Sequence, residues 1–249
     1  MSRKTILITG ASRGIGRAAA LLAGRRGWSV GVNYVRDEES AQQVVREIQR
    51  AGGRGVALHG DVAFEADVLE MFEGAVRALG PLDGMVVNAG IVAPGARLVD
   101  MSVERMRRMF DVNILGAYVC AREAARRLSR GLGGRGGSIV LISSAASRLG
   151  GAGQYVDYAG SKGALDTLAL GLSKELGPEG VRVNAIRPGI IETDIHASGG
   201  EPDRAHRVGA GAPLGRPGLA EEVGEAIVWL LSDAASYTTG AILDVAGGR

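Results

Sequence analysis

The sequence predicts an α/β fold in which a doubly wound, mostly parallel seven-stranded sheet carries helices on both faces. Two observations predict it. Short runs rich in Val and Ile, at residues 6–9, 28–34, 55–58, 85–88, 138–143, 181–186 and 241–245, stay apolar throughout, as strands buried on both faces do. Between them lie longer stretches with helical spacing of their apolar residues. Strands that alternate with helices from end to end need crossover connections, and these give a parallel sheet with two helical layers.

The elements follow in order. The first strand runs directly into Gly10, and an alanine-rich helix opens at the glycines that follow. In the second helix Ala41, Val44, Val45 and Ile48 recur at i, i+3, i+4 and i+7, and in the third Val68, Met71, Phe72, Ala75, Val76 and Leu79 do the same. Asn113 interrupts an apolar stripe of Met106, Phe110 and Ala117, so a buried carboxamide in need of partners is expected there. Tyr158 and Lys162 share a stripe with Leu165, Ala169, Leu172 and Leu176. After the break at Pro217-Gly218 the helical pattern resumes with Val223, Ala226, Ile227, Leu230 and Leu231. No linker, low-complexity segment or fixed-period repeat intervenes, so residues 1–249 read as one domain. The longest stretch without periodicity, 189–217, is expected to be a mobile loop at the substrate site.

Composition narrows the function classes. Of 249 residues 46% are apolar and 22% charged, the balance of a packed globular protein. The 29 basic and 27 acidic residues leave a formal charge of +2, too weak a field to point to nucleic acid or anionic lipid. The densest basic run, 122–130, reads as a solvated helix face. Cys120 is the only cysteine, so an internal disulfide and a cysteine-rich metal site are excluded. His59, His196 and His206 show no metal-ligand spacing with it, and no metal is expected. The apolar residues after Arg3-Lys4 are too few for a signal-peptide core, and no run reaches membrane-spanning length. A cytoplasmic protein is expected, with no membrane partner.

Chemistry enters at the first turn. Gly10, Gly14 and Gly16 stand between the first strand and the first helix, where free N–H groups and the positive end of the helix dipole attract a pyrophosphate that glycines allow to approach. The string from Thr9 to Gly16 resembles the TGxxxGIG signature of the short-chain dehydrogenase/reductase family. The resemblance continues in family order along nearly the whole chain. It implies a Rossmann-type domain and a nicotinamide cofactor held by Gly10, Ser12, Arg13, Gly14, Ile15 and Gly16. Asp61-Val62 matches the acidic position that contacts adenine, and Asn88-Ala89-Gly90 matches the family's NNAG except that Val87 replaces the first Asn. Pro188, Gly189, Ile191 and Thr193 match the PGxxxT segment that touches the nicotinamide amide. Asn113, Ser144, Tyr158 and Lys162 match the catalytic tetrad, which implies a water-holding Asn, a Ser hydrogen-bonded to substrate oxygen, a Tyr proton donor, and a Lys on the nicotinamide ribose.

The Tyr-Lys pair also has a reading of its own. A phenol titrates near ~10, too high for ready exchange at neutral pH, and residues four apart on a helix share a face, so Lys162 is placed to favour the Tyr158 phenolate. Ser143 and Ser144 both stand at a strand end where such sheets bind ligands, and the sequence prefers Ser144 by family position without excluding Ser143. At the end of the second strand, Asn33-Tyr34-Val35-Arg36 lacks the acid that binds the ribose of NAD(H). Arg13 and Arg36 suit a 2'-phosphate instead, so NADP(H) is expected, while Asp37 and Glu38 keep NAD(H) open as an alternative. The resemblance implies interconversion of a carbonyl and an alcohol on a small-molecule substrate, and a homotetramer. It extends to 3-oxoacyl-carrier-protein reductases and glucose 1-dehydrogenase-like enzymes. Glu179 stands where the former often carry a basic residue, and a non-catalytic NADP-binding sensor has no chemical need for the whole tetrad.

Overall fold

The computed structural model describes residues 3–249. Seven strands form one sheet: β1 (Thr5–Ile8), β2 (Ser29–Tyr34), β3 (Arg54–His59), β4 (Gly84–Val87), β5 (Gly137–Ile142), β6 (Val181–Pro188) and β9 (Ile242–Val245). Their order is β3-β2-β1-β4-β5-β6-β9, and every neighbouring pair is parallel. The chain winds outward from β1 to β3, then returns to place β4 on the other side of β1. That reversal opens a crevice beyond the carboxyl ends of β1 and β4, where doubly wound sheets bind ligands.

Two apolar layers cover the sheet. On one face α1 (Gly14–Arg25), α2 (Glu38–Arg50) and α10 (Ala220–Leu231) pack through Ala19, Ala23, Val44, Ile48, Val223 and Ile227. On the other face lie α3 (Glu65–Leu79), α5 (Ala117–Leu128) and α7 (Val156–Leu176), packed through Phe72, Ala75, Cys120, Ala121, Leu165 and Ala169. Among the described residues no helix is long and apolar enough to cross a membrane.

Three expectations change. The stripe through Asn113 does not include Phe110, which is 39% exposed; the buried face is Met109, Val112, Asn113, Gly116 and Ala117. At Gly116 a Cβ would lie 2.7 Å from the Val62 carbonyl oxygen, so the face of small residues fits against the strand ends and the phenylalanine face turns outward. Between α4 (Val103–Phe110) and α5 the helix also widens to a π turn at Asp111–Gly116, the kind of bulge that often marks a functional site.

The basic run is not wholly solvated either. Glu123 is buried, Arg126 and Arg127 flank it, and the Arg127 guanidinium lies 5.5 Å from the centre of the Phe72 ring. A buried carboxylate needs such partners. Nor is 189–217 structureless: it contains β7 (Ile191–Glu192), α8 (Ile195–Ser198) and α9 (Arg204–Gly209), and β8 (Gly218–Leu219) pairs with β7 beside its end. These pieces are too short for a hydrophobic period to show.

Candidate active site

The glycine turn joins β1 to α1. Gly10 and Gly14 have φ of +61° and +55°, a region that side chains avoid. At Gly16 a Cβ would lie 2.5 Å from the Gly10 carbonyl oxygen, so only glycine lets the helix close on the turn. Arg13, at the cap position of α1, makes no side-chain cap, whereas Asp37 caps α2 and Ser102 caps α4. The first-turn N–H groups of Gly14, Ile15 and Gly16 therefore face the crevice without a side-chain acceptor, the arrangement that suits a phosphate. Thr193 lies over this turn, its Cγ2 3.5 Å from where a Gly14 Cβ would be. The segments 10–16 and 188–193, far apart in sequence, thus meet at one place.

Several residues expected at the cofactor site shape it from behind. Asn33 is fully buried; its Oδ1 accepts from Gly10 N–H at 3.0 Å, and its Nδ2 donates to the Gly60 carbonyl at 2.9 Å and to that of Leu58 at 3.2 Å. Its side chain is spent inside the protein, where it holds the turn in place. Asn88 donates to the carbonyls of Thr9 and Gly10 at 2.7 and 3.0 Å, and the Thr9 hydroxyl accepts from the N–H groups of Asn88 and Ala89. Asp61 accepts from Ala63 N–H at 3.0 Å and Arg108 at 2.9 Å. Burial would raise its pKa, but those bonds and the nearby Arg108 and Arg36 charges outweigh it and hold the carboxyl below its usual range. Val62 is buried beside it.

The tetrad converges beyond the ends of β4 and β5. Ser143 is 2% exposed, and its hydroxyl donates to the Lys162 carbonyl inside α7 at 3.0 Å. Ser144 is more open; its hydroxyl accepts from the Ala146 N–H at 3.1 Å and lies near enough to Tyr158 to act on the phenol. Lys162 is 3% exposed; its Nζ donates to the Ile142 carbonyl at 2.8 Å and lies 5.7 Å from the centre of the Tyr158 ring. Gly90 brings the strand end up to this amine: a Cβ there would be 3.2 Å from Lys162 Nζ and 3.4 Å from Asn113 Oδ1. The Asn113 carboxamide accepts from Ile91 N–H at 2.8 Å and donates to the Ile91 carbonyl and to Ser161. It also donates to Met109 Sδ at 3.1 Å, so backbone and side chains share in satisfying it.

Electrostatics differ from the simple expectation for Tyr158. Burial pushes its pKa above the usual 10.0, and the Ser144 hydroxyl only partly offsets this. Burial also disfavours the Lys162 cation, pulling its pKa down to about 8 against the opposing pull of Asp166. The amine is therefore expected to lose its proton near pH 8, and Asp166→Asn to lower that midpoint further. Titration of isotopically labelled lysine by NMR reads both.

One part of the pocket wall was not read from the sequence. Tyr155 Oη donates to Glu201 Oε1 at 2.7 Å, Arg204 lies 4.9 Å from the Tyr155 ring centre and pairs with Glu201 at 3.0 Å, and Arg207 also contacts Glu201. Arg204 reaches Gln154 as well. This cluster ties the 189–217 segment to the start of α7. Among the described residues no three His, Cys, Asp or Glu side chains gather as a metal site.

The sequence model described as Enoyl-(Acyl carrier protein) reductase matches residues 10–249. The chain is 50% identical to the Escherichia coli oxidoreductase YgfF over 98% of both proteins. The chain belongs to the short-chain dehydrogenase/reductase family. It is also 41% identical to an L-rhamnose 1-dehydrogenase (NAD(P)(+)) of a Sphingomonas species, over 98% of this chain and 95% of that protein. The solved structure of acetoin dehydrogenase YohF from Salmonella typhimurium superposes with a TM-score of 0.87 at 32% identity, covering 99% of this chain and 97% of that one. As a member of the family, the protein is an oxidoreductase that acts on CH–OH groups of small molecules and uses a nicotinamide cofactor.

Proposed function

We propose that this protein is an NADP(H)-preferring dehydrogenase/reductase of small hydroxylated carbonyl compounds. The observation that carries this reading is the meeting of Ser144, Tyr158 and Lys162 in the crevice beside an uncapped glycine turn. Gly10, Ser12, Arg13, Gly14, Ile15 and Gly16 would hold the phosphates, Asp61 and Val62 the adenine, and Asn88, Ala89 and Gly90 the floor. Pro188, Gly189, Ile191 and Thr193 would meet the nicotinamide amide. When bound, the nicotinamide supplies or accepts the hydride. Tyr158 exchanges the proton of the substrate oxygen, and Ser144 donates a hydrogen bond to that oxygen. Lys162 orients the cofactor ribose, and Asn113, tied to Ile91, keeps the floor under the amine.

The preference for NADP(H) rests on the end of β2. Asp37 uses its carboxylate on Ser40, accepting from the N–H at 2.9 Å and the hydroxyl at 2.6 Å. Glu38 lies near Tyr34, whose phenol pKa is raised first by burial and then by the Glu38 charge. Of the two acids that favour NAD(H), Asp37 is thus engaged, while Arg13 and Arg36 are exposed and suit a 2'-phosphate. Arg36→Asp is expected to weaken NADPH binding by roughly ten- to a hundredfold, the worth of one charge-assisted hydrogen bond. Titration of NADPH and NADH into both proteins tests it, and an unchanged NADPH affinity in the variant would misplace the phosphate site.

The proposed substrate class is supported by the cluster of Gln154, Tyr155, Glu201 and Arg204 at the start of α7, which offers polar surface where an acyl chain would need apolar surface. L-Rhamnose and acetoin, named for the relatives, both carry neighbouring oxygens. Assays of both, with NADP+ and NAD+, test this reading against 3-oxoacyl thioesters. We further propose a cytoplasmic homotetramer, supported by the exposed apolar residues Val103, Phe110, Leu115, Tyr118 and Leu170 on the α4, α5 and α7 side.

A further inference from the structure

Tyr158 is gripped through its backbone by two polar links that share one origin. Asp157, whose side chain is 1% exposed, accepts from Arg105 Nε at 2.9 Å and Nη2 at 3.3 Å. Its Oδ1 also accepts from the Tyr158 N–H at 2.9 Å. On the far side the Tyr158 carbonyl accepts from the Ser161 hydroxyl at 2.7 Å, which itself accepts from Asn113 Nδ2 at 3.1 Å. Arg105 and Asn113 stand on the same continuous helical unit, α4 and its π turn.

The same two residues also hold the opposite wall of the cleft. Arg105 Nη1 donates to the Pro94 carbonyl at 2.5 Å, and Asn113 is bonded to both backbone groups of Ile91. Residues 91–94 leave the end of β4 just after Gly90, which touches Lys162, and carry Val92 and Ala93 against Gly199 of the 189–217 segment. Residues 91–94 therefore contact both the helical unit that grips Tyr158 and the 189–217 segment.

We infer that the Arg105–Asp157 pair is a positioning device that fixes the 91–94 wall relative to Tyr158, with Arg105 bridging the two. Stability alone does not call for it, because a well-packed apolar pair of similar volume is often as stable as a buried ion pair. A forked guanidinium, however, delivers three hydrogen bonds in fixed directions, two to the carboxylate before Tyr158 and one to the wall. An apolar pair supplies no such direction. Displacement of a reacting group by about 1 Å can cost on the order of a hundredfold in rate. The inference rests on the reading of Tyr158 as proton donor.

The test uses Arg105→Lys, which keeps the buried charge paired but loses the fork, and Arg105→Gln/Asp157→Asn, which leaves no unpaired buried charge. Tyr158→Phe runs beside them. The phenolate titration of Tyr158 is read as the ultraviolet difference between each protein and its Tyr158→Phe counterpart. The wild-type midpoint should lie above the ordinary value, and both clamp variants should move it down as water enters the widened cleft. With L-rhamnose or acetoin, whichever turns over faster, kcat/KM should fall roughly tenfold or more in Arg105→Lys. A folded Arg105→Lys protein with an unchanged Tyr158 midpoint would overturn the inference, even if its melting temperature fell, because that result marks a purely structural pair. Turnover retained by Tyr158→Phe would instead overturn the proton-donor reading, while the difference titration still reports on the clamp.

Discussion

Tyr158→Phe should bind the cofactor as the wild type does and lose most of its turnover, by roughly 10²- to 10⁴-fold, the usual worth of a general acid or base. The ring stays, so the packing of α7 and the contact of Lys162 with the ring face are kept; only the hydroxyl is gone. Cofactor titration and steady-state kinetics on the same preparation separate the two effects. Turnover within a few-fold of wild type would remove Tyr158 from the mechanism.

The second large effect belongs to Ser144. Its hydroxyl is near enough to Tyr158 to act on the phenol and is proposed to donate to the same substrate oxygen, and removing one preorganised donor of this kind typically costs about 10²- to 10³-fold in kcat. Ser144→Ala is expected to fall in that range. Ser143→Ala should behave differently, because its hydroxyl is buried on the Lys162 carbonyl and does not face the crevice. Losing that bond costs stability of about 0.5–1.5 kcal/mol and lowers the melting temperature, with turnover changed much less. The kinetic ranking of the two serines decides between them, and a larger loss in Ser143→Ala would reverse the assignment.

The order of strands and helices was legible because both faces of the sheet are buried, so each strand is continuously apolar and each helix shows one clear face. Tyr158 and Lys162 were legible for a local reason, being four residues apart on one helix. The ambiguity of Ser143 and Ser144 was physical: successive residues at a strand end point to opposite sides, and only the register of β5 against α7 shows which side faces the cleft. What stayed hidden joins distant parts of the chain. Arg105 meets Asp157 across 52 residues, and Tyr155 meets Glu201 across 46. Each residue alone reads as an ordinary surface or helix residue. The role of Asn33 stayed hidden for a related reason, since its amide is consumed by Gly10, Leu58 and Gly60, which lie 23 to 27 residues away along the chain.

Direct hydride transfer at a site built around Tyr158 is the central claim, and isotope transfer tests it most directly. The protein is incubated with NADP+ and with L-rhamnose deuterated at C1 or acetoin deuterated at its carbinol carbon, and the reduced cofactor is analysed by mass spectrometry. The account predicts that the wild type yields NADPH carrying the substrate deuterium, and that Tyr158→Phe yields almost none in the same time. Reduced cofactor without deuterium, or equal labelling by the two proteins, would contradict it.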